Sequence, residues 1–294
     1  MGARPGLRDA TKADARAKQH RRCLVVTADD FGLSAGISRG IIDAHCHGVI
    51  TATSALVVAP GFASTVPWLA EHPTLEAGVH VALVGEDPPL SPARSIPTLV
   101  DRQGRLPRSW RHLLPVLGAR RIDPADIRTE ATAQVAAARA AGIDRPTHLD
   151  THQHVHLWPA VAAVLTEVAV AEGVPVVRVP RSSRPWSGWG VEVLGRRLAQ
   201  RVDRAGLRHT DGFAGWDRAG HHLEGDVVAA VRALGRAGHR TAELALHPGH
   251  SDAAARDRYR WAYDWDGERS AACATRVRQA IAEAGFDLVG PTSL

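Results

Sequence analysis

The chain has 294 residues, 45% of them hydrophobic and 23% charged, with a formal net charge of +5 and a pI near 9.7. This is globular composition with enough chain for a large core, and it excludes collagenous and low-complexity scaffolds. Three scattered cysteines without a C-x-x-C pair argue against a disulfide framework or zinc finger and fit a reducing cytoplasm, and no apolar run is long enough to span a bilayer.

Residues 1–21 carry Arg4, Arg8, Lys12, Arg16, Lys18 and Arg21 without an apolar signal-peptide core. They are expected to form a disordered basic leader, with 22–294 as a single domain. No basic stripe with interleaved aromatics follows, so nucleic acid is not an expected partner. Leu24–Ala28 is a continuous apolar run, as a buried parallel strand requires. Ala35–His47 reads as a helix with Ser34 as N-cap. Thr51–Val58 and Gly78–Leu83 read as strands, with a helix over Ala63–Glu71 between them. Residues 84–108 contain Pro88, Pro89, Pro92, Pro97 and Pro107, which rule out a regular helix and predict a long surface excursion able to cover a site.

Asp123-Pro124 predicts a capped helix start, continued through Ala141 and ended by Gly142. Next come a histidine-rich strand, a helix over Pro159–Glu172 and a strand over Pro175–Val179. Residues 182–190 read as a loop, Val191–Ala205 as a helix and 208–222 as irregular. Helices over Leu223–Gly238 and Ser270–Ala284 flank a strand at Thr241–Leu246, and Asp287–Val289 suits a last short strand. Repeated strand–helix units imply a parallel sheet with right-handed crossovers. About seven units suit a single α/β domain, a distorted (β/α) barrel, more than an open doubly wound sheet. No Gly-x-Gly-x-x-Gly or Walker A pattern supports a nucleotide fold.

The chemistry gathers at strand ends, where α/β folds place active sites. In Thr147–His156, His148, Asp150, His152, His154 and His156 fall at alternate positions. On a strand they would share one face, opposite Leu149 and Val155. Such a row is costly to bury unless paired, and a divalent metal is its natural partner. Asp29 and Asp30 close the first strand, where one could bind a metal and the other act as base, although an aspartate there could also cap the turn. His80 within an apolar strand and His247 at a strand end each have an ordinary structural reading when taken alone. One aspartate, His80 and one histidine of the row would make a two-histidine, one-carboxylate site with positions open for water and substrate. The same set serves non-haem iron oxygenases, and spacing alone separates neither hydrolysis from oxidation nor zinc from magnesium.

Taken in order, Thr27-Ala28-Asp29-Asp30-Phe31-Gly32-Leu33-Ser34, Gly78-Val79-His80, the His148–His156 segment and His247-Pro248-Gly249 resemble the YdjC-like carbohydrate deacetylases, which include chitooligosaccharide and hopanoid-associated deacetylases. The resemblance runs from about residue 22 to 289. It implies a (β/α) barrel of NodB-like deacetylase type. It also implies hydrolysis of an N-acetyl group on an amino sugar or glycoconjugate with a divalent cation, magnesium or zinc. Carried over by motif, Asp30, His80 and His152 would bind the metal, Asp29 would be the general base and His247 the general acid. Asp150 would orient a histidine from behind, and His154 and His156 would line the pocket or stand behind it. His148 would be structural, and a homo-oligomer is compatible with the family.

Trp186, Trp189, Trp216, Trp261 and Trp265 offer rings for stacking on a sugar, against the plainer reading of packing. Arg178 and Arg181 close a strand and could reach substrate hydroxyls or an anionic group, against a surface role. Two rivals remain at this point: another metal-dependent amide or phosphoester hydrolase on the same barrel, and a catalytically inactive carbohydrate-binding protein.

Overall fold

The computed structural model describes residues 22–182 and 188–294. The leader expected at 1–21, Trp186 and most of the 182–190 loop lie outside the described residues. The long first strand, β1 (Arg22–Phe31), is the axis of the sheet. It pairs with β2 (Ala52–Ala55) on one side and β7 (Thr241–Leu246) on the other, while β8 (Phe286–Leu288) pairs with its first three residues. With β3 (Glu76–Val81), β4 (His148–Thr151), β5 (Val176–Val177) and β6 (Gly212–Ala214), the order is β5-β4-β3-β2-β1-β7-β6, and every pair is parallel.

Among the described residues the ring is not closed between β5 and β6, and a single bridge joins Val176 of β5 to Arg208 ahead of β6. The sheet nevertheless curls on itself. Arg178, just beyond β5, reaches Asp29 on β1 and Glu243 on β7 with one guanidinium. This is the expected distorted (β/α) barrel. Along β1, Leu24, Val26 and Ala28 are fully buried in the hydrophobic core, while Thr27 and Asp29 make polar contacts inside the barrel. Burial on both faces is why the strand reads as an uninterrupted apolar run up to its carboxylates.

The helices are α1 (Ala35–His47), α2 (Phe62–Thr65), α3 (Trp68–Glu71), α4 (Trp110–Gly118), α5 (Pro124–Ala140), α6 (Pro159–Ala171), α7 (Trp189–Arg204), α8 (Glu224–Arg236), α9 (Ala253–Arg258), α10 (Trp265–Cys273) and α11 (Thr275–Glu283). Ser34 caps α1 by accepting from Ile37 N at 3.2 Å, and Asp123 caps α5 ahead of Pro124. Both caps follow from side-chain oxygens satisfying otherwise unpaired helix N–H groups.

Three elements depart from expectation. The helix expected over 63–71 is two short helices on either side of Pro67. The one expected over 270–284 divides at Ala274, whose backbone is extended (φ −69°, ψ 132°). The segment read as irregular over 208–222 contains β6. Helix α4, in a stretch given no reading from sequence, forms despite Pro115 within it.

The proline-rich excursion after β3 is tied down rather than loose. Asp126, Glu130 and Gln134 lie one turn apart on α5 and are buried. Gln134 pairs with Ala82 N and O, each at 2.8 Å. Glu130 accepts from Leu90 N and Ser91 N at 2.9 Å, and Asp126 from Thr98 N at 2.7 Å. The excursion is mostly exposed but is anchored by buried Asp87, Ser91, Ile96 and Leu99, and one face of α5 supplies acceptors for its backbone.

Candidate metal centre

Adjacent residues of a regular strand point to opposite faces. Asp29 and Asp30 escape that rule because the β1–β2 register shifts between Ala28 and Phe31, and Asp30 takes a left-handed backbone (φ 69°). Such an irregularity turns a side chain at the cost of local strain. Both carboxylates thereby enter the C-terminal end of the barrel, each only 1% exposed.

Their surroundings differ. Asp29 is gripped by Arg178, which donates from Nη1 to Oδ2 at 2.7 Å and from Nη2 to Oδ1 at 2.8 Å. The same guanidinium contacts Asp150 through Nη1 and donates from Nε to Glu243 Oε1 at 2.8 Å. Thr27 donates to that Glu243 oxygen at 2.8 Å. Arg178 is therefore a buried hub of carboxylates and does not reach outward to substrate hydroxyls, which corrects that expectation. Burial opposes its charge, and Asp150, Asp29 and Glu243 overcome this and raise its pKa above the usual arginine value.

Among the described residues, neither carboxylate oxygen of Asp30 has a hydrogen-bond partner. Its Oδ1 lies 3.6 Å from His80 Nε2 and 3.4 Å from His152 Nδ1. Burial would raise the Asp30 pKa, but the facing His152, His80 and His247 hold it at about 2. His80 sits beside Asp150 in the β3–β4 register, and its Nδ1 is 2.8 Å from Asp150 Oδ1. That contact fixes the ring and turns Nε2 toward Asp30. Burial would lower the His80 pKa, and Asp150, Asp29 and Asp30 lift it to about 9. Ser54 supports Asp150 from behind, donating to Oδ2 at 3.0 Å.

The histidine row is not one strand. It is extended only over His148–Thr151, and a 3-10 segment follows over His152–Leu157, with left-handed Gln153 (φ 55°) and His154 (φ 51°). Only His148 and Asp150 share a strand face. His148 Nε2 lies 2.9 Å from Ser54 Oγ, and Gly78 leaves the room its ring needs, since a Cβ there would stand 2.5 Å away. His156 is held between Thr151 Oγ1 at 2.6 Å and the Arg178 carbonyl at 3.0 Å. Burial pushes both His148 and His156 down to about 4. The turn at 153–154 sends His152 to Asp30 and His154 to Trp216, with ring centroids 5.1 Å apart and planes at 26°.

His247 follows β7, with its ring against Tyr263 at 5.0 Å. Its Nδ1 lies 3.7 Å from Glu268 Oε2, and its backbone N–H also donates to that oxygen. Glu268 is fully buried on α10 and accepts from His222 N at 2.9 Å as well. Burial would lower the His247 pKa, but Glu268 outweighs it and leaves it raised. Glu268 and Glu243 are not singled out as site residues from sequence, and Trp261, read there as a ring for stacking on a sugar, lies instead 5.1 Å from the ring of His152. Glu243 alone had a signal, a lone carboxylate inside the apolar strand Thr241–Leu246.

Ligand atoms of Asp30, His80 and His152 all lie within 4.8 Å of one another. A buried carboxylate with no hydrogen bond is costly, and a divalent cation among these three would resolve it. The residues present therefore fit the group. A second set, Asp29, His80 and Asp150, is already satisfied by Arg178 and Ser54. A cleft of about 750 Å³ lies elsewhere, beside β6 between α7 and α8, and includes none of the five motif residues. Trp265 is 2% exposed and cannot present a face to a sugar, whereas Trp189 is 70% exposed.

The YdjC-like protein family matches residues 23–283. A carbohydrate deacetylase of Brevibacillus brevis is 32% identical over 270 residues, covering 90% of this chain and 97% of its own. A chitooligosaccharide deacetylase of Proteus mirabilis is 31% identical over 271 residues, covering 90% and 96%. A human carbohydrate deacetylase is 34% identical over 255 residues, covering 78% and 76%. The solved structure of an Enterococcus faecalis V583 protein, provisionally named a cellobiose-phosphate cleavage protein, shares the fold. Its TM-score is 0.78 at 24% identity, over 93% of this chain and 98% of that one. The motif order, the barrel and these matches agree, and the chain belongs to the YdjC-like family.

Proposed function

We propose that this protein is a metal-dependent hydrolase that removes the N-acetyl group from an amino sugar or glycoconjugate. The observation that carries the metal part is the buried Asp30 carboxylate, which has no hydrogen-bond partner and faces two imidazoles. Names of relatives that are carbohydrate or chitooligosaccharide deacetylases support the reaction class. Asp30, His80 and His152 hold the cation in this reading. Two imidazole nitrogens and one carboxylate oxygen suit zinc better than magnesium, which prefers oxygen ligands. A divalent cation there supplies positive charge that polarises the amide carbonyl and makes water a better nucleophile near neutral pH.

The remaining work falls to the chain. Asp29 accepts a proton from water as that water attacks the acetamide carbon. Arg178 fixes Asp29 by two parallel hydrogen bonds, so the carboxylate does not have to reorient during the step. His247 gives a proton to the departing amine nitrogen, which would otherwise leave as an unstable anion. Glu268 favours the protonated ring required for this. Asp150 keeps His80 in the tautomer that presents Nε2 to the cluster. His154 and Trp216 form a stacked wall beside the cluster and line the sugar site. The 22–294 unit acts as one domain, and a cytoplasmic location is part of the proposal.

The test is mass spectrometry of a panel of N-acetylated mono- and oligosaccharides incubated with the protein. Loss of one acetyl group from at least one sugar, abolished by chelator and restored by zinc, is expected. No acetate from any N-acetyl sugar, with hydrolysis of a phosphoester instead, would replace this reading with another hydrolase.

A further inference from the structure

The two candidate histidine ligands are held in different ways. His80 has Asp150 on its far nitrogen at 2.8 Å, the usual arrangement in which a hydrogen-bonded carboxylate orients a liganding imidazole. His152 has no such partner. Its Nδ1 faces Asp30, itself a candidate ligand, and its Nε2 is buried without a hydrogen bond among the described residues. Its backbone gives little support, because the residues that follow it are the left-handed Gln153 and His154.

The ring of His152 is held by packing instead. Trp261 lies against it with centroids 5.1 Å apart and planes at 33°. From the other chain segment, a Cβ at Gly85 would stand 3.7 Å from His152 Cδ2, and Gly85 has a φ of 130° that only glycine adopts easily. Trp261 is itself fixed. Its ring packs on Tyr259 at 4.8 Å and Tyr263 at 5.4 Å, and its Nε1–H donates to Glu86 Oε1 at 3.1 Å. The next residue of that loop, Asp87, accepts from Tyr259 Oη at 2.7 Å and from Arg258 Nε at 2.8 Å. Tyr259, Trp261, Tyr263 and Trp265 recur at every second position, which makes the segment after α9 an aromatic strap clamped to the loop after β3.

We propose that Trp261 is a positioning residue that holds His152 in its metal-binding orientation, with Glu86 anchoring the tryptophan. The proposal rests on the reading of Asp30, His80 and His152 as cation ligands. With His152 lacking a hydrogen-bonded orienter, loss of the Trp261 ring frees imidazole rotation, and metal binding must then restrict it. The strap also joins the ligand to the Glu86–Asp87 loop, so anchoring and metal affinity are coupled.

Cobalt(II) binding to the full chain, measured by competition with a chromophoric chelator and by visible absorption, tests this without any substrate. Trp261→Leu is expected to bind cobalt at least about tenfold more weakly than wild type, with an altered absorption band. Trp261→Phe keeps a ring and is expected to stay within about threefold of wild type. Should Trp261→Leu fail to fold, Glu86→Ala removes the anchor alone and is expected to weaken binding by about threefold. A folded Trp261→Leu with wild-type affinity and spectrum, beside a His152→Ala that loses cobalt, would overturn the positioning role and leave the metal centre intact. A His152→Ala with wild-type affinity would overturn the ligand assignment itself, and the positioning role with it.

Discussion

Asp29 and Asp30 are neighbours in the chain, equally buried, and opposite in circumstance. Asp29 belongs to a closed network in which Arg178 meets three carboxylates and Thr27 completes Glu243. The Asp30 carboxylate faces imidazole nitrogens across gaps of 3.4 and 3.6 Å and has no hydrogen bond among the described residues. Buried ion networks hold their geometry when every member is satisfied, and removing one partner exposes the full desolvation cost of the others. A buried carboxylate left unsatisfied marks a place where something else binds. One aspartate is thus the proposed base, held in place by Arg178, and the other is the proposed cation ligand.

Four variants sharpen that contrast. Asp30→Asn is expected to lower deacetylation by at least about 10³-fold, equivalent to about 4 kcal/mol of barrier. In chelator-treated protein the same change should cost less stability than Arg178→Met, because it loses the attraction of His152 and His80 but no side-chain hydrogen bond. Added zinc should raise the melting temperature of wild type and leave this variant unmoved. Equal stabilisation of both would remove Asp30 from the site. Arg178→Met should do the reverse in denaturant titrations, costing about 3–5 kcal/mol of stability by stranding buried carboxylates.

Glu268→Gln bears on the acid. His247 must be protonated to donate, so the rate falls as pH rises through its pKa. Burial lowers that pKa and Glu268 raises it above the ordinary histidine value. Without the Glu268 charge, burial prevails, and the alkaline limb of the pH–rate profile moves to lower pH. At pH 8 kcat should fall by about tenfold, and an unmoved limb would separate Glu268 from the proton donor. Gln153→Gly is expected to be smallest. It relieves a left-handed backbone but loses the hydrogen bond from Trp110 N at 2.9 Å, so stability should change by less than about 1 kcal/mol in thermal melts.

What was legible in the sequence was local or periodic. The apolar run of β1, the caps at Ser34 and Asp123-Pro124, and the carboxylates and histidines at strand ends depend on near neighbours or on the α/β rule for active sites. The histidine row misled because its alternation continues past Thr151 while the backbone does not. Two non-glycine residues in left-handed conformation leave no mark in composition. Arg178 read as outward-reaching because nothing nearby in the sequence shows that Asp29, 149 positions away, and Glu243, 65 positions away, receive it. Glu268 was invisible for the same reason. Its partners, His222 and His247, are joined to it only by the tertiary fold.

The central claim is that Asp30, His80 and His152 hold a catalytic cation for N-deacetylation. The most direct measurement is zinc titration of chelator-treated protein while acetate release from an N-acetylated chitooligosaccharide is followed. No release is expected without metal, followed by a linear rise that saturates at one zinc per chain. Full acetate release from protein shown to be free of bound metal would contradict it.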